Sequence, residues 1–67
     1  MTATELRETL TRAQLTQRGA ARVLNINDRT MRRYCAGDQA IPPTIEYSVL
    51  YLAFVANAAE RAAIYGG

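Results

Sequence analysis

The residues with the most chemistry to offer lie in one short run, Asp28-Arg29-Thr30-Met31-Arg32-Arg33-Tyr34-Cys35-Ala36. On a helix turning about 100° per residue, Asp28, Arg29, Arg32, Arg33 and Ala36 share an arc of about 140°. Thr30, Met31, Tyr34 and Cys35 fall on the opposite arc. Such a helix buries Met31, Tyr34 and Cys35 and turns its arginines outward. A guanidinium carries donors in a fixed fork that can bond guanine O6 and N7, and a helix fits the B-DNA major groove, about 12 Å wide. Arg29, Arg32 and Arg33 are therefore candidates for base or phosphate contact. Asp28 is a candidate base contact as an acceptor for cytosine N4. It also has a structural reading: a first-turn carboxylate gains from the helix dipole, and Arg32 stands four residues on as an ion-pair partner. Eleven and ten residues before Asp28, Gln17 and Arg18 open another predicted helix. Free N–H groups and the positive end of the dipole favour a phosphate there, which makes both residues candidate DNA-backbone contacts.

Other chemistries lack their parts. The chain has no His and a single Cys, Cys35. That leaves no intrachain disulfide and no zinc ligand set. The carboxylates are scattered and no nucleophile sits beside a base. The sequence reads as a non-enzyme with no metal, cofactor or small-molecule substrate.

Net charge is only +2 over 67 residues, but its distribution is uneven. Residues 12–33 hold six Arg against Asp28, whereas the stretches before and after are net acidic. A concentrated basic patch is the footprint of a polyanionic partner. It equally fits a solvated helix face, or a small protein-binding module that sets its Arg face on an acidic protein. No charged-then-apolar leader is evident. The longest uncharged run, Tyr47–Ala59, is 13 residues, and a bilayer needs about 20. With a free thiol, these features favour a reducing cytoplasm as the expected location.

The elements that must position these side chains are all helical. Thr2 with Glu5 is a capping-box pair, and Leu6 and Leu10 continue a first helix over Ala3–Arg12. Thr16 caps a second helix, whose apolar face is Ala20, Ala21 and Leu24. Asn25 stands where a tight turn needs left-handed backbone angles, Ile26 wedges between the helices, and Asn27 caps the third helix over Asp28–Ala36. Gly37 stops it. Pro43 then opens a last helix that runs to about Ile64, ahead of Gly66-Gly67. No stretch alternates with period two, so strands are not expected.

The last helix carries two apolar faces. Ile45, Val49, Leu52, Ala56, Ala59 and Ala63 form one; Tyr47, Tyr51, Phe54, Val55, Ala58 and Ala62 form the other. Glu46, Asn57, Glu60 and Arg61 share the strip between them. One face suffices for a chain's own core. A domain this small exposes much of its surface and gains from self-association. The first helix, about ten residues long, competes for the second face. Tyr47, Tyr51, Phe54, Val55 and Ala58 are therefore expected to form a homodimer interface.

The segment Thr16–Gly37 resembles the phage-repressor (Cro and XRE-type) helix-turn-helix family. The match is Gln17, Ala21, Leu24, Asn25, Asn27, Thr30, Tyr34 and Gly37, spaced as in that pattern. Two positions depart: Cys35 stands where Glu is common, and Ala20 where Leu is common. Thr16-Gln17-Arg18-Gly19-Ala20-Ala21, Asn27–Tyr34 and Thr44–Tyr47 also look similar to the anti-CRISPR-associated (Aca) regulators. The resemblance implies an all-α, lambda-repressor-like single domain over residues 1–67, with four helices or five. Its helix-turn-helix unit would be residues 16–37 and its dimerisation helix about 43–64. It further implies a homodimer that binds an inverted-repeat, palindromic operator in duplex DNA and represses its own anti-CRISPR operon, on the nucleoid of a bacterial host. By position, Arg29, Arg32 and Arg33 would lie in the groove, and Gln17 and Arg18 would hold the backbone.

Overall fold

A computed structural model describes the backbone of residues 1–65 and the side chains of residues 1–59. It has four helices in the order α1 (Ala3–Arg12), α2 (Gln17–Val23), α3 (Asp28–Ala36) and α4 (Pro43–Tyr65). There is no strand and no fifth helix among the described residues. The stop expected at Gly66-Gly67, and the side chains of Glu60, Arg61, Ala62 and Ala63, lie outside them.

Each of the first three helices starts on a side-chain cap. The Thr2 hydroxyl accepts from Glu5 N at 3.1 Å while the Glu5 carboxylate accepts from Thr2 N at 2.9 Å, a reciprocal capping box. This bonding to the charged form lowers the Glu5 pKa. Thr16 accepts from Gly19 N at 2.9 Å, and Asn27 accepts from Arg29 N at 2.8 Å. A Cβ on Gly19 would stand 3.1 Å from the Thr16 hydroxyl, so the missing side chain keeps that cap close. Pro43 opens α4, and the Pro42 carbonyl accepts from Ile45 N and Glu46 N.

The same three helices end alike. One residue takes left-handed angles, and the two N–H groups around it bond back to the last turn. Asn25 has φ 56°; its N–H donates to the Arg22 carbonyl and that of Ile26 to the Ala21 carbonyl. Gly37 has φ 81°, with Gly37 N bonded to Tyr34 O and Asp38 N to Arg33 O. The third case was not expected from the sequence. Gln14 has φ 60°, with Gln14 N bonded to Thr11 O and Leu15 N to Leu10 O.

The core is small. Leu6, Leu10, Ala20, Ala21, Met31, Tyr34, Cys35 and Val49 are buried together, with Leu15, Leu24, Ile26, Ile41 and Ile45 partly buried around them. Helix α1 packs on both α3 and α4, and α2 packs on α3. The fully buried Ala20 and Ala21 let α2 come close to its neighbours. Thr9 is a buried polar residue of α1, and its hydroxyl donates to the Glu5 carbonyl at 2.7 Å. No described helix is long and apolar enough to cross a membrane.

The turn at Asn25 gives a direct test. A left-handed L-residue other than Gly or Asn costs roughly 1–2 kcal/mol. Asn25→Ala is expected to lower the unfolding free energy by about 1 kcal/mol in urea titration, and Asn25→Gly by much less. Equal losses would show that the Asn side chain, not the backbone angle, matters there.

Candidate nucleic-acid interface

The outer face of α3 carries what the helical wheel placed there. Asp28, Arg29, Arg32 and Arg33 are all exposed, while Met31, Tyr34 and Cys35 behind them are buried. The phase is fixed by the Asn27 cap at one end and Gly37 at the other. The other end of the helix has an additional clamp. The Arg7 guanidinium, on α1, donates to the Cys35 carbonyl and also to the Thr4 hydroxyl at 3.2 Å. A cation on the last carbonyls of a helix satisfies orphan acceptors and suits the dipole. Nothing local in the sequence marked Arg7 for this task, because the partners are 28 residues apart.

The start of α2 lies beside the start of α3. Thr16, Gln17, Arg18, Asp28 and Arg32 line one open cleft of about 370 Å³. Gln17, Arg18, Asp28 and Arg32 are thus brought together, whereas Arg29 and Arg33 stand on the exposed face outside this cleft. Arg22, which the sequence reading left aside, lines an adjoining hollow with Thr16, Arg18 and Gly19. Its place four residues after Arg18 was the available signal.

One pairing differs from expectation. Asp28 forms an ion pair with Arg18 rather than with Arg32 at i+4: Arg18 Nε is 3.6 Å from Asp28 Oδ2. The physical reason is that the two helix starts converge, so a side chain from α2 reaches Asp28 across the cleft. Both groups are well exposed, at 73% and 48%. An exposed pair of this kind contributes about 0–1 kcal/mol, so an arriving anion can readily take Arg18 from it. No cluster of three or more metal-ligating side chains is present among the described residues.

No protein-family model, no curated protein and no solved structure matches this chain.

On α4 the two apolar faces separate cleanly. Val49 and Ala53 are buried and Ile45, Leu52 and Ala56 half-buried, so this face meets the core. Ala59, assigned to the same face, is exposed, because α4 has by then run past the core. Tyr47, Tyr51 and Phe54 are 69%, 65% and 70% exposed, and Val55 and Ala58 are exposed too. Helix α1 does not cover them. Leu50 joins the same exposed face, at 41%, and was not singled out from the sequence. Beside Tyr47 and Tyr51 an open groove of about 380 Å³ is lined by Leu24, Ser48 and Leu52.

Cys35 is not poised for reactivity. Burial pushes its thiol pKa up, and the Arg7 guanidinium pulls it back less. Because the folded value is raised, the stability linked to this group is complete below the ordinary thiol value of 9.0 and declines as pH rises past it. The thiolate is the nucleophile that attacks a thiol-labelling reagent. Labelling of Cys35 at neutral pH is expected to be at least about tenfold slower in the folded chain than in urea. Equal rates would place Cys35 outside the core.

Proposed function

We propose that this chain is a sequence-specific regulator that binds duplex DNA as a dimer. In this reading α2, the turn at Asn25 and α3 form a helix-turn-helix, with α3 as the recognition helix. The observation that carries it is the segregation on α3: Arg29, Arg32 and Arg33 exposed together, with Met31, Tyr34 and Cys35 buried behind them. The placement of Gln17 and Arg18 beside that face supports it, because these are the positions from which a phosphate would be held. The uncovered apolar face of α4 supports a second subunit. A two-fold dimer reads two half-sites about 34–36 Å apart, hence a palindromic operator. The resemblance to phage repressors, and within them to the anti-CRISPR-associated regulators, supports repression of the chain's own promoter in a bacterial cytoplasm.

Mobility-shift titration with the DNA upstream of the chain's own gene tests the reading. Phosphate contacts are strongest at low salt, so a complex is expected at about 50 mM salt and should weaken as salt rises. No complex there would overturn the proposal and turn attention to an acidic protein as the partner of the Arg face. Arg33→Ala is expected to cost about 1–3 kcal/mol of specific binding with the melting curve unchanged. Undiminished binding by that variant would remove Arg33 from the interface. Phe54→Glu, which sets a charge on the uncovered face of α4, is expected to give monomers with weak operator binding. An unchanged dimer in sedimentation would move the interface elsewhere.

A further inference from the structure

The uncovered face of α4 has an internal order that fixes how a second copy fits. Its exposed apolar residues are Tyr47, Leu50, Tyr51, Phe54, Val55 and Ala58. At about 100° per residue, Tyr47, Tyr51, Phe54 and Ala58 form the central seam, with Leu50 on one flank and Val55 on the other. The intervals along the chain read the same in both directions, so two such helices can pair parallel or antiparallel. Side-chain size separates the two.

In a parallel pair each seam residue meets its own copy. Tyr47 would face Tyr47 at one end and Ala58 would face Ala58 at the other. The helices would be forced apart at the first and left with a gap at the second. Packed helices keep their axes about 8–10 Å apart along the contact. In an antiparallel pair, with the two-fold axis passing between Leu52 and Ala53, Tyr47 meets Ala58 and Tyr51 meets Phe54. Every layer then holds one larger and one smaller side chain, or two rings of similar size, and the spacing stays even. By the same symmetry Leu50 lies beside its own copy on one flank and Val55 beside its own copy on the other.

We propose that two copies of this chain associate through this face with their α4 helices antiparallel in that register. The proposal deepens the dimer reading above and rests on it. The occupant is a second copy for two reasons. The run Tyr47–Ala59 has no charged residue, so a symmetric partner meets no like charge, and an acidic partner would find no cation. The exposed area is also of the right order: aromatic side chains bury about 150–250 Å² each, and with the rings about two-thirds exposed they and their apolar neighbours offer about 600 Å². That approaches the roughly 800 Å² per partner of a stable interface. In this register Val55 of the second copy lies over the groove lined by Leu24, Ser48 and Leu52, so the contact reaches the residue that closes α2.

Cross-linking decides the register. In a Cys35→Ala chain, which has no other thiol, three variants are compared under mild oxidation: Tyr47→Cys, Ala58→Cys, and both together. A disulfide needs Cα atoms within about 7 Å, whereas positions 47 and 58 are separated by about 16 Å along one helix. The double variant is expected to give at least about tenfold more covalent dimer than either single one. Mixing the two single variants should restore the covalent dimer. Covalent dimer from Ala58→Cys alone would show a parallel pair and overturn the register while leaving the dimer standing. Wild-type chain that sediments as a monomer at tens of micromolar would overturn the register and the dimer together, and the mobility shift would still report on DNA binding separately. Circular dichroism of each variant checks the fold; if Tyr47→Cys does not fold, the outcome for Ala58→Cys alone still tests the parallel alternative.

Discussion

Three backbone reversals hold this fold together. Gln14, Asn25 and Gly37 each take left-handed angles, and each lets two N–H groups turn back onto the carbonyls that the preceding helix leaves open. Short helices need such ends. Helix α2 has only seven residues, and isolated helices shorter than about 12–15 residues are marginal in water. Its persistence depends on the Thr16 cap, on the reversal at Asn25 and on the burial of Ala20 and Ala21. Once the reversal at Asn25 is set, the direction of α3 follows, and with it the side of the molecule on which the arginines emerge.

Helix α1 connects what the reversals arrange. It packs on α3 and on α4. Leu6 and Leu10 supply apolar burial, and Arg7 supplies a polar tie to the end of α3. The α3 face and the uncovered α4 face are therefore built on one shared support. The electrostatics are simpler than the charge count suggests. The arginines of α3 are exposed, and the Arg18–Asp28 pair across the cleft is exposed and weak. Little holds these cations in the free molecule.

Much of this arrangement was legible in the sequence because it is encoded locally. Thr2, Thr16 and Asn27 mark helix starts through hydrogen bonds to N–H groups two or three residues away. Asn25 and Gly37 mark stops because few residues tolerate positive φ. Gln14 was missed for the same reason in reverse: Gln has no particular affinity for that region, and Gln14 is held there by the turn that joins α1 to α2. The helical i+4 rule offers Arg32 as a partner for Asp28, but Arg18 reaches it from another helix, and such contacts have no sequence period. Arg7 escaped notice on the same ground. The two faces of α4 were visible as a pattern. Which of them meets the core depended on the placement of the other helices, and so did the exposure of Leu50.

The division of labour on α3 has a further consequence. The side chains that fold this helix, Asn27, Met31, Tyr34 and Cys35, are disjoint from those it shows to solvent, Asp28, Arg29, Arg32 and Arg33. The outward set can be rewritten without touching the inward one. A lineage carrying this fold could thus exchange the outward side chains of α3 one by one while keeping the same scaffold. Thr30, half-buried between the two sets, is the one position of the first turn where a change would be read by both.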